Sequence, residues 1–576
     1  MKKLTALLCV LLFVMLMFSA CGKEQKSLGQ ITEIQASSIV VALGTEKEMP
    51  RDDKGKNVSG EQAKPPQEPE GESSKSKGET AVPNQESNND GEEGVKDQSP
   101  PPSDGGLPSI LTLTGESVEL KITEQTVITK EDREDTLDIS SLSVGDVVRV
   151  TYEGNKAKAV ILQTMDDPMT DDSTGSIELV GVFTVDGTEE TKDEDTVGSD
   201  KENTCAVLVK NGGKLTMGST TVTKSGDTTS VDESNFYGLN GAVVATASSS
   251  AVLSDVAVNT EAEGANAVFA TGEGASVTID GITIHTSGNS SRGLDATYGG
   301  SISAEDVDIT TTGAHCAALA TDRGEGTVKV VGGTLSTSGD GSPCIYSTGD
   351  ISAENVTGMA TGSQSMVVEG KNSITVRNCD FTGAGLNGVM IYQSTSGDAG
   401  VGAGILNATD STIATTSDGP MFYITNTEAA INLTNVNLAF PSDILVNVSG
   451  NETNNWGTPG SNGGNLTFTA KNQTLTGDIV CDEISVVSLG LFQASSLTGA
   501  IDTANSGTVS LSLSSDATWE VTADSHISSL TDDDASFNNI VSNGYTIYYD
   551  SDNEANQWLD GKTITLSDGG KLTPAV

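Results

Sequence analysis

Between about residues 205 and 460, apolar and polar side chains alternate in short runs that break at one point and then resume. Ser276-Val277-Thr278-Ile279-Asp280-Gly281-Ile282-Thr283-Ile284 is matched by Ser301-Ile302-Ser303-Ala304-Glu305-Asp306-Val307-Asp308-Ile309 and by Ala430-Ile431-Asn432-Leu433-Thr434-Asn435-Val436-Asn437-Leu438. Each predicts a strand, a one-residue kink and a second strand, because strict alternation is the mark of a pleated element with one buried face. The kink falls on Ser219, Asp255, Gly281, Asp306, Gly332, Asn355, Asn378, Asp410 and Asn435, at separations of 36, 26, 25, 26, 23, 23, 32 and 25 residues. Gly, Asn and Asp are the residues that tolerate positive φ at least cost. A recurring kink of this kind predicts the coils of a β-solenoid, each coil stacked roughly 4.8 Å from the next. Ala242-Val243-Val244, Ala267-Val268-Phe269, Ala317-Ala318-Leu319, Cys344-Ile345-Tyr346 and Met366-Val367-Val368 supply a third strand per coil.

Three short strands per turn resemble the right-handed parallel β-helix of pectate lyases, phage tailspikes and autotransporter passengers, over about 205–450. The pairs Leu475-Thr476-Gly477-Asp478-Ile479 and Leu497-Thr498-Gly499-Ala500-Ile501 continue the repeat at a 22-residue spacing. Ala517-Thr518-Trp519-Glu520-Val521 and His526-Ile527-Ser528-Ser529-Leu530 then resemble the last coils of autotransporter-type passengers. The fold class expected is all-β: parallel β-helix repeats over 205–460, and C-terminal coils and cap over 461–576, with Trp519 and Trp558 packing the end.

Ahead of the solenoid, Ile31, Ile34 and Ile39-Val40-Val41, and later Leu111, Leu113, Val118, Leu120, Ile122, Val127 and Ile128, read as further strands. Gly29-x-Ile31-x-x-Ile34 with Leu142-Ser143-Val144-Gly145-Asp146-Val147-Val148 resembles a compact β-barrel domain of exported bacterial proteins. That domain is expected over 28–164. Residues 45–108 hold nine of the fifteen prolines and no aromatic residue, so they are expected as a disordered insert in one hairpin. The acidic stretch 165–204 is read as a linker or first cap.

Lys2-Lys3, the apolar run Leu4 to Phe18 and the small residues Ser19-Ala20 have the layout of an export signal, expected over 1–20. Phe18-Ser19-Ala20-Cys21 resembles the lipobox of bacterial lipoproteins, which implies lipidation of Cys21 and a tether over 21–27. Two acyl chains anchor stably where one is marginal. The expected location is the extracytoplasmic side of a cell membrane, with the membrane as a partner through the lipid.

The formal charge of −49 over 576 residues argues against nucleic acid as a partner, since phosphate binding draws its affinity from clustered Lys and Arg. Aromatics are only 4% of the chain, so small and β-branched residues must fill the core. The cysteines beyond Cys21 are Cys205, Cys316, Cys344, Cys379 and Cys481, without CxxC or zinc-like spacing. Cys316 and Cys344 lie near the start of the same strand in adjacent coils, leaving either stacked thiols or a disulfide.

The ordered Asn-Thr-Asp, Asp-Asp, Gly-His-Gly and Arg-Ile-Lys set of polygalacturonases is absent. The kink column Asp255, Gly281, Asp306, Gly332, Asn355, Asn378, Asp410 and Asn435 is read as a structural ladder, because Asp alternates there with Gly and Asn. Arg292 or Arg323 beside Asp295 or Asp322 is expected as a surface pair. Thr260, Thr286, Thr311, Thr337 and Thr415 recur at one offset after the kink and are expected as an outward polar ladder. His285, His315 and His526 fall in separate coils. No catalytic residue, metal site or cofactor is expected, beyond weak surface calcium binding by acidic loops such as 189–200 and 532–534. The function expected is non-catalytic display of an adhesin-like or carbohydrate-binding solenoid, with polysaccharide or another cell surface as partner. A polysaccharide lyase or hydrolase, or a plain structural spacer, are the alternatives.

Overall fold

The computed structural model describes residues 25–35, 38–46, 111–123, 126–130, 142, 147–162, 177–453 and 455–575. The expected signal 1–20, the lipidated Cys21 and all but the first two residues of the insert 45–108 lie outside the described residues.

Near the N-terminus six strands form one sheet in the order Leu111–Lys121, Ser38–Glu46, Gln25–Gln35, Val147–Glu153, Lys156–Leu162 and Val127–Lys130. The sheet curls into a half-barrel, with Lys121 of its first strand pairing with Lys156 of its fifth. Among the described residues, Ile31, Ile39, Val41, Leu120, Val148, Val150 and Val160 are fully buried and pack in one cluster.

From Gly181 the chain winds a β-solenoid of about 16 turns, so the expected parallel β-helix is the fold that forms. The first coil, Gly181–Asp186, Glu189–Asp193 and Thr196–Ser199, comes from within the acidic stretch 165–204. One wall is a 19-stranded sheet made of the kinked strands; a second is a 12-stranded sheet of shorter strands running from Gly181–Asp186 to Asp478–Cys481. The register is in phase: Val277 pairs with Ala251 and Ile302, and Ile284 pairs with Val258 and Ile309. Like residues therefore stack in columns, forming one continuous core from Val185 to Leu572. Burial of a large aliphatic side chain contributes about 1.5–3 kcal/mol. A single coil has no second layer to bury its face, so each depends on its neighbours.

All nine kink residues have positive φ, from 43° at Ser219 to 78° at Gly332. They stand in register, coil on coil. A Cβ on Gly281 would lie 3.0 Å from Asp255 Oδ1, and one on Gly332 would lie 2.9 Å from Asp306 Oδ1. Each Asp carboxylate thus leans over a residue that has no side chain. Where Asn follows, its amide donates onward: Asn435 Nδ2 to Asp410 Oδ1 at 2.6 Å, and Asn378 Nδ2 to Asn355 Oδ1. From Asp255 to Asn435 no Asp of the column has Asp in the next coil, which keeps like charges off adjacent rungs.

The threonine ladder is a correction. Thr260, Thr286, Thr311, Thr337 and Thr415 are buried, not outward. Residues two apart on a strand share a face, so Thr286 follows Ile282 and Ile284 into the interior. Three of the hydroxyls meet a turn carbonyl there: Thr286 Oγ1 donates to Ser291 O at 2.7 Å, Thr311 Oγ1 to Cys316 O at 2.5 Å and Thr337 Oγ1 to Ser342 O at 2.5 Å. At the head of this column stands the buried Lys224, whose Nζ donates to Lys201 O at 3.0 Å and to Gly226 O.

The last turns close on themselves. Trp519 is fully buried and donates Nε1 to Gly499 O at 2.9 Å. The 3-10 helix Glu554–Leu559 lays Trp558 on Phe537 with ring centroids 5.5 Å apart. Buried Asn556 then satisfies Leu530 N, Ser528 O and Asp550 O, which otherwise would be orphaned at the end of the stack.

Candidate functional site

The short strands of the 12-stranded sheet do not alternate in burial. Val268–Thr271, Leu294–Thr297, Met366–Glu369 and Val389–Tyr392 are buried at every position, so their outer face is covered as well as their inner one. Part of the cover is the helix Val231–Tyr237, capped by Ser230, whose Oγ accepts from Glu233 N at 3.2 Å, and ended by Gly238 at φ 77°. Thr297 Oγ1 donates to Phe236 O at 2.8 Å, and Tyr237 stacks on Tyr298 at 5.2 Å. The rest comes from the turns 393–401 and 451–462. Asn451 and Asn462 both donate to Trp456 O, setting Trp456 against Tyr392 at 4.8 Å between ring centroids.

Between these covers lies a cavity of about 60 Å³, lined by Phe236, Arg292, His315, Asp322, Tyr346, Gln364, Tyr392, Asp398 and Trp456 among others. Both arginines are paired with carboxylates within the wall, and Glu369 is held by hydroxyl groups. Arg292 Nη2 lies 3.0 Å from Asp322 and Arg292 Nε 3.9 Å from Asp295. Arg323 Nε donates to Asp398 Oδ1 at 3.0 Å while its guanidinium carbon lies 4.1 Å over the Phe236 ring. Glu369 accepts from Tyr346 Oη at 2.5 Å, from Tyr392 Oη at 2.9 Å and from Ser394 Oγ.

Burial dominates the titration of these groups. It pushes Asp295 up to about 7 against the pull of Arg292. It raises Glu369 against its three hydroxyl donors, and holds Tyr346 and Tyr392 well above the usual phenol range. Burial works against the charge of Arg323, but Asp398, Tyr298 and Asp322 together outweigh it and the net shift is upward.

The expectation that Arg292 and Arg323 form surface pairs is therefore corrected: Arg292, Asp295, Asp322 and Arg323 are each at most 7% exposed. Thr297, Asp322, Thr348 and Glu369 occupy equivalent positions in four successive coils, which stacks Asp322 and Glu369 in one column beside Arg292, Asp295 and Arg323. A sign was present in the sequence: the polar Asp295 and Glu369 interrupt runs without alternation, which marks both faces as covered. Nothing local pointed to the residues that cover them.

The kink column lies in the other sheet and takes no part in this pocket. Cys316 and Cys344 do not form a bridge; both are buried thiols. Cys316 Sγ lies 3.2 Å from Gly288 O and 3.0 Å from Ser291 N, and it stacks between Ser291 and Ser342. Cys344 instead stands level with Ala318, two positions beyond Cys316, and faces Gly358, so the two sulfurs point to different neighbours. His285 is exposed, His315 rims the pocket, and His526 stacks on Tyr548 at 4.8 Å. Among the described residues no three His, Cys, Asp or Glu side chains are placed to hold a metal ion. Comparison with protein-family models, curated proteins and solved structures returned no match.

Proposed function

We propose that the chain is an extracytoplasmic, lipid-anchored display protein whose solenoid binds an uncharged, hydroxyl-rich ligand, a neutral carbohydrate, in the pocket of Tyr346, Tyr392 and Trp456 without transforming it. Export and anchoring rest on the 1–20 pattern and Cys21. The ligand class rests on one observation: the pocket joins aromatic rings to polar groups among which each arginine is already engaged by a carboxylate. Arg323 with Asp398 and Arg292 with Asp322 leave no surplus cation to attract an anionic polymer, and the net charge of −49 repels one. Aromatic rings offer apolar faces to the C–H side of a sugar, and fixed polar groups orient its hydroxyls.

A hydrolytic alternative has one observation in its favour, the gathering of Asp322, Glu369 and Asp398 around one cavity. Each is already engaged, Asp322 and Asp398 by arginine and Glu369 by hydroxyl donors, where a proton donor or nucleophile needs a group facing substrate. Incubating the full-length protein with neutral glucans, xylan, mannan and galactan separates the readings. Retention without new reducing ends, abolished in Trp456→Ala, supports binding. Release of reducing or unsaturated ends means an enzyme, and neither retention nor cleavage means a spacer.

A further inference from the structure

We infer that the pocket receives the end of a glycan chain and not an internal stretch of one; this rests on the carbohydrate reading above. A groove on the outer face of a solenoid ordinarily runs along the axis, open at both ends, and lets a polymer lie across many coils. Here it is walled. The carbonyl of Phe236 is held by Thr297 while its ring lies over Arg323 one coil on, and Trp456 packs on Tyr392 three coils beyond that. These two rings line the pocket on its opposite axial sides.

The flank between them is closed by a chain of contacts that crosses the coils. Glu369 accepts from Ser394 Oγ, which lies 2.7 Å from Ser396 Oγ; Ser396 Oγ accepts from Asp398 N at 3.2 Å. Asp398 then accepts from Arg323, and Arg323 covers Phe236. The turn after Tyr392 is thereby joined to the helix Val231–Tyr237, two segments more than 150 residues apart in sequence. Every link is buried or half-buried, and loss of any one would leave buried polar atoms unmatched.

The size agrees. The pocket's volume, about 60 Å³, is far below the roughly 300–1,000 Å³ of sites that take up whole ligands. It has room for part of one sugar ring, with His315 and Gln364 among the residues that line it.

Titration calorimetry of the full-length protein with gluco-, xylo- and manno-oligosaccharides of one to six units, and with the corresponding neutral polymers, tests this. The expected result is affinity that levels off by two or three units, with one protein bound per chain whatever the polymer length. Affinity that keeps rising to six units, or a stoichiometry that grows with polymer mass, would overturn the end-binding inference while leaving the carbohydrate reading standing. Absence of binding to every member of the series overturns both. Asp398→Asn with Arg323→Met, which opens the flank, is expected to shift the stoichiometry with polymer above one per chain; because the native protein alone decides the point, misfolding of that variant does not obscure it.

Discussion

Arg323 lies face-on to Phe236, its guanidinium carbon 4.1 Å from the ring centroid, and so ties the helix Val231–Tyr237 to a coil that follows it by more than eighty residues. The same guanidinium is paired with Asp398. Removing one member of a buried pair leaves the other charge uncompensated, typically at about 3–5 kcal/mol. Arg323→Ala is expected to destabilise by that order, and Arg323→Met with Asp398→Leu by clearly less than the sum of the two single changes. Hydrogen exchange across Val231–Tyr237 and 393–401 checks this; protection unchanged in Arg323→Ala would mean that the strap carries no stability.

The stacking of Asp255 over Gly281 limits what that rung accepts. At about 4.8 Å a pair of unit charges repels by about 1 kcal/mol even in water, so Gly281→Asp, which would face both Asp255 and Asp306, is expected to cost about 2 kcal/mol more than Gly281→Asn. The gap should shrink as salt is raised, since the column faces solvent. A gap that persists at 1 M salt, measured by thermal unfolding, would point to geometry instead of charge.

Asp295 makes the stability of this face depend on pH. Its pKa rises in the fold from 3.8 to about 7, so the folded chain holds the proton more tightly than the unfolded one. The contribution is therefore most favourable below about pH 4 and is lost as pH climbs from about 4 to about 7. Asp295→Asn cannot ionise, and its melting temperature relative to the native chain is expected to rise steadily across that window. A constant difference between pH 4 and pH 8 would rule the buried carboxyl out as the cause.

The five solenoid cysteines are buried thiols, and burial pushes Cys205, Cys344 and Cys481 up to about 12. Thiolate is the reactive form. Iodoacetamide at pH 8 is expected to leave all five unmodified in the native protein and to label all five in urea without reductant, read by peptide mass spectrometry. Failure to label Cys316 and Cys344 under the second condition would mean that they are bridged.

Thr286→Val and Thr337→Val keep shape and remove a buried hydroxyl that serves a turn carbonyl. Each is expected to lower stability by about 1–2 kcal/mol and to leave glycan retention unchanged. Loss of retention would restore the threonines as part of a binding face.

The sequence by itself determined the solenoid and the position of its kinks. A residue such as Gly281 or Asn355 takes positive φ through its own backbone, and Val277, Ile279, Ile282 and Ile284 face inward through the period of a strand, so both facts are written within a few neighbours. The same period carried Thr286 inward, a consequence legible in Ile282 and Ile284 but outweighed by expecting a polar residue to face water. Only the tertiary structure decided the pocket. Arg292, Asp295, Asp322 and Arg323 look like surface charges until Phe236, Asp398 and Trp456, brought from distant parts of the chain, close over them. Burial, and with it the pairing and the pKa of Asp295, is a property of what covers a residue, and no local pattern records that cover.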